Sequence, residues 1–298
     1  MTITSPSTET PAELAARYGL SPSSARPPLP VYLRQLWERR HFITAFATSR
    51  LATQYSGARL GQLWQVLTPL FNAGVYFLLF GLLLGARGKI DNYTAYLVTG
   101  VFVFTSMQRS VTSASRSIGG NLALIRALHF PRASLPLSST LVELQQLLIS
   151  MVVLCLIVVV TGEPLSWTWL LVIPALSLMT LFNIGIGMAI ARVGAFVQDI
   201  NQLLPFITRT WLYTSGVFFS IPEKTANAPE WVGQIMMANP AAVYIELVRD
   251  ALMASHPTDL HTLWPVGVTW ALAVGWAAVA LTAGLWFFWS AEEKYGRG

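Results

Sequence analysis

The chain has 298 residues and a formal net charge of +5; 54% of it is hydrophobic and 11% is charged. Soluble domains carry about 25% charged residues, so this chain lacks the polar groups to cover a surface in water, and its natural solvent is a bilayer. The one cysteine, Cys155, excludes an internal disulfide; set in an apolar run with no base beside it, it reads as a small buried hydrophobe.

Residues 1–30 are rich in Ser and Pro, with Pro22, Pro27, Pro28 and Pro30, and lack the apolar run of a signal peptide. They read as a disordered cytoplasmic tail. Residues 31–51 follow as an amphipathic helix: Leu33, Leu36, Trp37, Ile43, Ala47 and Leu51 fall on an arc of about 120° at helical spacing, although Arg40 lies inside the arc and Phe42 and Phe46 outside it. With Arg34, Arg39, Arg40 and Arg50, this segment suits an anionic inner leaflet, and docking to a protein partner is compatible with that.

The run from Gln54 to Pro69 joins this basic segment to the first apolar stretch. Gly57 and Gly61 allow a sharp turn into the membrane, Arg59 can reach lipid phosphate, Trp64 suits the interface, and Pro69 sits where a lost hydrogen bond costs little.

Six spans follow, at 63–84, 93–116, 137–160, 167–191, 203–219 and 263–288, each about the 17–25 residues that a crossing helix needs. The second is apolar only in its first half; from Gln108 to Arg116 it is polar and is expected to line a wet cavity or to project beyond the lipid. Excluding Arg209, Lys and Arg divide 14 against 4 between the two sets of connections, which places both termini in the cytoplasm. The region 225–255 holds two apolar stretches, Trp231–Ala238 and Val243–Met253, split by Asn239-Pro240 and each too short to cross. A re-entrant or interfacial helix pair is expected there, with an outer-surface loop lying on lipid as the alternative.

Signatures of chemistry are missing. There is no P-loop, since Gly119-Gly120 is not followed by the required lysine, and no G-x-S-x-G elbow. His41, His129, His256 and His261 are scattered along the chain and suggest no metal cluster. Glu292-Glu293, in the polar C-terminal tail, reads as solvated charge. The chain is thus no enzyme by itself and carries no cofactor; uphill transport would have to borrow ATP hydrolysis or use an ion gradient.

The connection Asn121–Leu137 is a short apolar-basic helix closed by Pro131, a compact knob whose spaced anchors Leu122, Ile125 and Phe130 could seat in a partner's groove; an interfacial helix on lipid is the alternative. Its pattern, Asn-x-x-Leu-Ile followed by Phe-Pro-Arg-x-x-Leu-Pro-Leu, resembles that of the permease subunits of polysaccharide ABC exporters of the O-antigen and teichoic-acid class. The entry run 54–69, the segment Gln198–Phe206, and Asn239-Pro240 with Ile245-Glu246 and Arg249-Asp250 are similar to that family in order and spacing. The family commonly has Arg where this chain has Gln198, which puts in doubt any salt bridge made there.

The resemblance implies an all-α polytopic permease in a bacterial inner membrane. Two copies would form a pore and bind two copies of an ATPase subunit, which holds the ATP and Mg. The cargo would be a polyprenyl-pyrophosphate-linked glycan amid membrane lipids; nothing calls for a nucleic acid. Coupling to the ATPase would fall to Asn121, Leu122, Ile125, Arg126, Phe130, Pro131 and Arg132, with a second contact at Gln198 and Asp199, and the entry gate to Tyr55, Arg59, Gly61, Trp64 and Pro69. Aromatic rings suit sugar faces, so Tyr76, Phe80, Phe104, Trp211, Tyr213, Phe218 and Phe219 are candidates to line a channel; core packing or lipid contact is the alternative for each. Arg109, Arg116 and Arg209 are costly in lipid and are expected to face a wet interior or to pair, for example with Glu143. An arginine-rich composition (16 Arg, 3 Lys) and the run Ser215–Phe219, where much of the family has Ser-Pro, lean toward an actinobacterial exporter of a cell-wall galactan. Competing readings are an ABC exporter of drugs or small lipids, a proton-driven transporter for which Glu143 is the one acidic candidate, and a lipid-modifying membrane enzyme.

Overall fold

The computed structural model describes residues 10, 17, 26–54, 57, 59–83, 85, 90–128, 130–197, 199–256 and 264–295. Most of the expected tail, together with Tyr55 and Gln198, lies outside the described residues.

The described chain is helical. In order come α1 (Leu29–Glu38), α2 (Arg40–Gln54), α3 (Trp64–Tyr76, running on into a π-helical stretch, Phe77–Leu83), α4 (Tyr93–Ser115) and α5 (Leu122–Ala127). There follow α6 (Ser134–Val160), α7 (Val172–Phe196, entered through a 3-10 turn, Trp167–Leu171), α8 (Ile200–Thr214), α9 (Ile221–Thr225), α10 (Glu230–Ala238), α11 (Pro240–Leu252) and α12 (Val266–Trp289).

Four helices are long and apolar enough to cross a membrane, Trp64–Leu83, Ser134–Val160, Trp167–Phe196 and Val266–Trp289, against the six spans expected. The two others fall short for different reasons. Helix α4 has 23 residues, but its second half is polar. Arg109 of that half lines a small cavity toward α3 and α6, and the rest is largely enclosed: α6, α7 and α8 pack around it, Gln108 Nε2 donates to Thr208 Oγ1 (3.0 Å) and Ser115 Oγ to Asn201 Oδ1 (2.8 Å). Interhelical hydrogen bonds replace water there. Helix α8 has 15 residues, about 22 Å at 1.5 Å per residue, against a hydrocarbon core of about 30 Å. The stretch from Ser215 that was expected to complete the span is not helical.

The expected surface helix is broken at Arg39 into α1 and α2, and its buried stripe is not the expected one. Ile43, Ala47 and Leu51 are buried as expected, but Trp37 is 70% exposed and Tyr32 takes the inward place at 1%. The break lets α2 pack along α6 while α1 turns Tyr32 toward the C-terminal segment.

The centre of the bundle is α4, enclosed by α6, α7 and α11, while α7 and α12 form the most extensive helix pair. A Cβ on Gly185 would strike the backbone of Ala280, and one on Gly284 would strike Gly185, so two glycines set the distance between these helices. Helices α10 and α11 are split at Asn239, whose side chain caps Ala241 N–H (3.1 Å) with Pro240 in the first turn. Their environments differ: α11 is buried along most of its length, packed on α4, α7 and α12, whereas α10 leaves Trp231 and Ile235 exposed.

Candidate functional site

The bundle end that carries α1, α2, α5 and the C-terminal segment is knitted together by polar contacts of high sequence separation. Tyr32 Oη donates to Glu292 Oε2 (2.9 Å) and accepts from Ala133 N–H (3.1 Å). The N–H of Arg132 donates to Glu292 Oε1 (2.9 Å), and the Arg132 guanidinium donates to the Glu292 carbonyl. Glu293 is exposed as expected, but Glu292 is 5% exposed: a tail carboxylate that looks solvated in the sequence is the centre of a latch joining α1, the connection after α5 and the C-terminal segment. Burial pushes its carboxyl above the usual range, partly offset by the Arg132 N–H and the Tyr32 hydroxyl. Burial likewise raises the Tyr32 hydroxyl, reinforced by the Glu292 charge.

Within the expected coupling knob, α5 is a single short helix entered through a 3-10 turn, Gly119–Asn121. Arg50 Nη2 of α2 donates to Asn121 Oδ1 (2.8 Å), and Phe130 lies against Phe42 with ring centroids 5.7 Å apart. Ile125 and Pro131 are buried, Ile125 in a cluster with Tyr32, Ile118 and Leu135. Ile125 and Phe130 therefore hold the knob onto its own protein instead of projecting from it. The surface it presents is Leu122, Arg126 and Leu128, all exposed. Asp199, of the expected second contact, is also exposed and precedes α8.

At the entry, Gly61 has φ +49°, the left-handed turn its residue type favours. Arg59 and Trp64 are exposed, and Pro69 is buried inside α3, beyond its first turn. From here a polar chain runs inward: Gln146 Nε2 of α6 donates to Gln54 Oε1 of α2 (2.7 Å), and Arg109 Nη1 of α4 donates to Gln146 Oε1 (3.1 Å).

The channel candidates separate into two groups. Phe104 and Phe218, 1% and 0% exposed, are sealed inside the protomer and face no lumen in this conformation. Phe218 stacks on Phe80 (4.3 Å between centroids) and meets Tyr76 edge-on (4.8 Å), and Phe104 packs on Trp211. Tyr76, Phe80, Trp211 and Phe219 are half-buried, while Tyr213 and Arg209 are exposed on α8. Arg116 is exposed and Arg109 half-buried.

One residue carries more structure than its place in the sequence suggested. Arg249, in the region expected to form a re-entrant or interfacial helix pair, is 0% exposed. It lies 3.3 Å over the Tyr96 ring and forms an ion pair with Glu246 (2.7 Å). It donates to the carbonyls of Tyr96 (3.2 and 3.1 Å), Gly216 (3.0 Å) and Val217 (3.1 Å). Tyr93 Oη donates to Phe218 O (3.0 Å), and Tyr96 Oη lies within reach of Gly216 O and Phe219 O. The non-helical stretch after α8 thus has its carbonyls taken by side chains, which is what permits irregular backbone inside an apolar bundle. The signal that could have found Arg249 is its helical spacing from Glu246, one turn away on α11. The same helix and the turn that follows it bring Glu246, Asp250 and His256 together, their ligand-type atoms within 4.8 Å of one another, although the scattered histidines suggested no such cluster. Glu246 is already shared between Arg249 and His256 (2.8 Å), and a guanidinium beside a carboxylate opposes a second cation.

Four apolar helices of spanning length beside a basic helical approach define a polytopic membrane protein. The model of the ABC-2 type transporter family matches residues 43–253, and the chain belongs to that family. It is similar to the O-antigen export system permease protein RfbA of Klebsiella pneumoniae, 29% identical over 207 residues that cover 68% of this chain and 76% of that protein. The polysialic acid transport protein KpsM of Escherichia coli is 22% identical over 84% of this chain and 93% of its own length. The capsule polysaccharide export inner-membrane protein CtrC of Neisseria meningitidis is 22% identical over 78% of this chain and 87% of its own length.

Proposed function

We propose that this chain is the permease subunit of an ABC exporter that moves a polyprenyl-pyrophosphate-linked polysaccharide from the inner to the outer leaflet of a bacterial inner membrane. The observation that carries the reading is the coincidence of the family match over residues 43–253 with relatives whose names specify O-antigen export, polysialic acid transport and capsule polysaccharide export. Two copies would enclose the path, and a separate ATPase subunit would bind ATP and Mg and press on α5 through Leu122, Arg126 and Leu128, with Asp199 as a second contact.

In this reading α4 and α8 complete six crossings, α4 sheathed by protein and α8 extended by its clamped segment. The packing of α11 inside the bundle and the break at Asn239 support a re-entrant pair, and the Lys and Arg asymmetry supports cytoplasmic termini. The exposed Arg209 and Tyr213 of α8, with Tyr76 beside them, are the channel-facing candidates that remain accessible. A cell-wall galactan stays the favoured cargo, on the arginine-rich composition and the run Ser215–Phe219.

The test is co-purification of an ATPase subunit with this chain from its native membrane. Wild type and Ile118→Val should both retain the ATPase, whereas Leu122→Asp with Arg126→Glu should release it while the permease stays monodisperse. An ATPase absent from the wild-type preparation would overturn the exporter reading.

A further inference from the structure

Between α3, α4 and α6 lies a small polar cavity of about 20 Å³ lined by Gln65, Ser106, Arg109, Glu143, Gln146 and Ser150, with Pro69 and Phe102 among the apolar walls. Its polar groups are incompletely satisfied. Gln65 is 0% exposed, and neither its amide nitrogen nor its oxygen has a hydrogen-bond partner; Glu143 Oε2 is also buried without one. A buried polar group left unpaired costs about 1–3 kcal/mol, so three such atoms round one void amount to an unfilled site more than to a packing accident.

The chemistry of the lining selects its ligand. A guanidinium and a carboxyl group face the same space, so the lining mixes donors with acceptors and is not the purely cationic pocket a free anion needs. It offers donors from Gln65 and Arg109, acceptors from Gln65 and Glu143, and two serine hydroxyls that do both. That mixture matches a group that both donates and accepts: a hydroxyl, or several on one ring. In this conformation the cavity admits a single oxygen-sized group, about the volume of one water. It can widen at α3, which buries only 17% of its apolar window, the least of the four spanning helices. The chain Arg109–Gln146–Gln54 connects the cavity to the end of α2 at the interface, where a lipid-borne head group would arrive.

We infer that this seam is a hydroxyl-binding subsite for a neutral sugar carried on a lipid, entered from the inner leaflet as α3 moves aside. The inference rests on the proposed export function and adds to it the place where the sugar next to the lipid phosphate is held, with Gln65 and Glu143 as its hydrogen-bonding residues.

The experiment uses the full chain in lipid nanodiscs and two photoreactive probes, an octyl glucoside with a diazirine on the sugar and an octyl phosphocholine with a diazirine on the head group. The glucoside should label peptides spanning 63–69, 102–109 and 143–150, and excess methyl glucoside should compete with it. Gln65→Leu should reduce that labelling about tenfold, the effect of losing roughly one strong hydrogen bond, while leaving the unfolding temperature equal or higher, because it removes an unpaired amide. Glu143→Gln, which keeps the shape, should reduce labelling less. Equal labelling by the two probes, or labelling unchanged in Gln65→Leu, would overturn the inference and leave a water-filled void. If the ATPase co-purifies but the seam does not label, the subsite fails and the exporter reading stands; the converse result removes the exporter reading and leaves the subsite.

Discussion

Replacing Arg249 by methionine removes the clamp that allows α8 to end inside the bundle. The side-chain volume is nearly kept, so what changes is electrostatic. Val217 O loses its guanidinium donor, Gly216 O keeps only the Tyr96 hydroxyl, and Glu246 keeps only His256. A buried carbonyl deprived of its partner costs about 1–3 kcal/mol, and breaking a buried ion pair by removing one member costs about 3–5 kcal/mol. These figures overlap, because the same guanidinium serves both, and a loss of about 5 kcal/mol is expected. Folded proteins have about 5–15 kcal/mol in all, so Arg249→Met should be recovered poorly and should unfold far below wild type.

Arg249→Lys separates the charge from the fork. An ammonium can keep the ion pair with Glu246 but cannot reach Tyr96, Gly216 and Val217 together, so about 2 kcal/mol should be lost. Tyr96→Phe, which keeps the ring under the guanidinium, should lose about 1 kcal/mol. Intrinsic fluorescence of the detergent-purified protein during heating, with the monodisperse fraction by size exclusion, gives the ranking. If Arg249→Met unfolds within a degree or two of wild type, the clamp contributes nothing and the account of the irregular segment is wrong.

Glu292→Ala should free α1, and Tyr32→Phe should do so by about 1 kcal/mol; hydrogen–deuterium exchange in residues 29–38 should quicken in both while α6 and α7 stay protected. The two buried carboxylates outside the spans should respond to pH with opposite sign. Burial raises the Glu292 carboxyl above its ordinary 4.5, so the folded state holds that proton more tightly than the unfolded chain does, and its contribution is full below 4.5 and is lost as pH rises through the raised value. Glu163 experiences burial too, but hydrogen bonds from Ser255 and Asn92 outweigh it and hold the carboxyl below 4.5. Its contribution is present above 4.5 and is lost as pH falls through the depressed value; exchange protection at residues 250–256, taken relative to unstructured amides at each pH, should fall on acidification in wild type and become insensitive to pH in Glu163→Gln. Gly185→Leu should push α7 from α12 at a cost near the upper end of the about 1–3 kcal/mol usual for overpacking, read as a lowered unfolding temperature, whereas Gly275→Leu, where a Cβ meets nothing within 4 Å, should be neutral.

Apolar run length made the four long helices legible, because a crossing helix must be continuous and uncharged. Asn239-Pro240 marked the break between α10 and α11 for a local reason, a capping side chain followed by a residue that cannot donate. The inward face of the knob was not legible. Leu122, Ile125 and Phe130 look alike as spaced apolar anchors, and only the fold shows Ile125 turned toward Tyr32 and Phe130 toward Phe42 while Leu128 is left outside. Glu292 and Arg249 were missed for one shared reason. Each meets a partner across more than a hundred residues, Glu292 at Tyr32 and Arg132 and Arg249 at Tyr96, and only the Arg249–Glu246 pair, one turn apart on α11, leaves a local trace. The channel aromatics failed in part because a ring suited to a sugar is equally suited to another ring, and Phe218 takes the second course.

The helices divide by how firmly they are held, and the division matches what transport requires. Helices α4, α6, α7, α11 and α12 form a frame fixed by the glycine contact, by the Arg249 clamp and by hydrogen bonds from α4 to its neighbours. Helix α3 flanks that frame with little of its surface buried, and its outward side chains, Phe71, Leu82 and Leu83, are at home in lipid whether or not it moves. Helix α8 is different. Its outward face carries Arg209 beside Phe206 and Tyr213, and an arginine on a short membrane helix requires water or a partner. One flank can therefore slide against lipid at low cost while the other must meet something polar. The proposed second copy, facing α8 across a hydrated path, would answer that need, and the proposed subsite would then be entered on the α3 side.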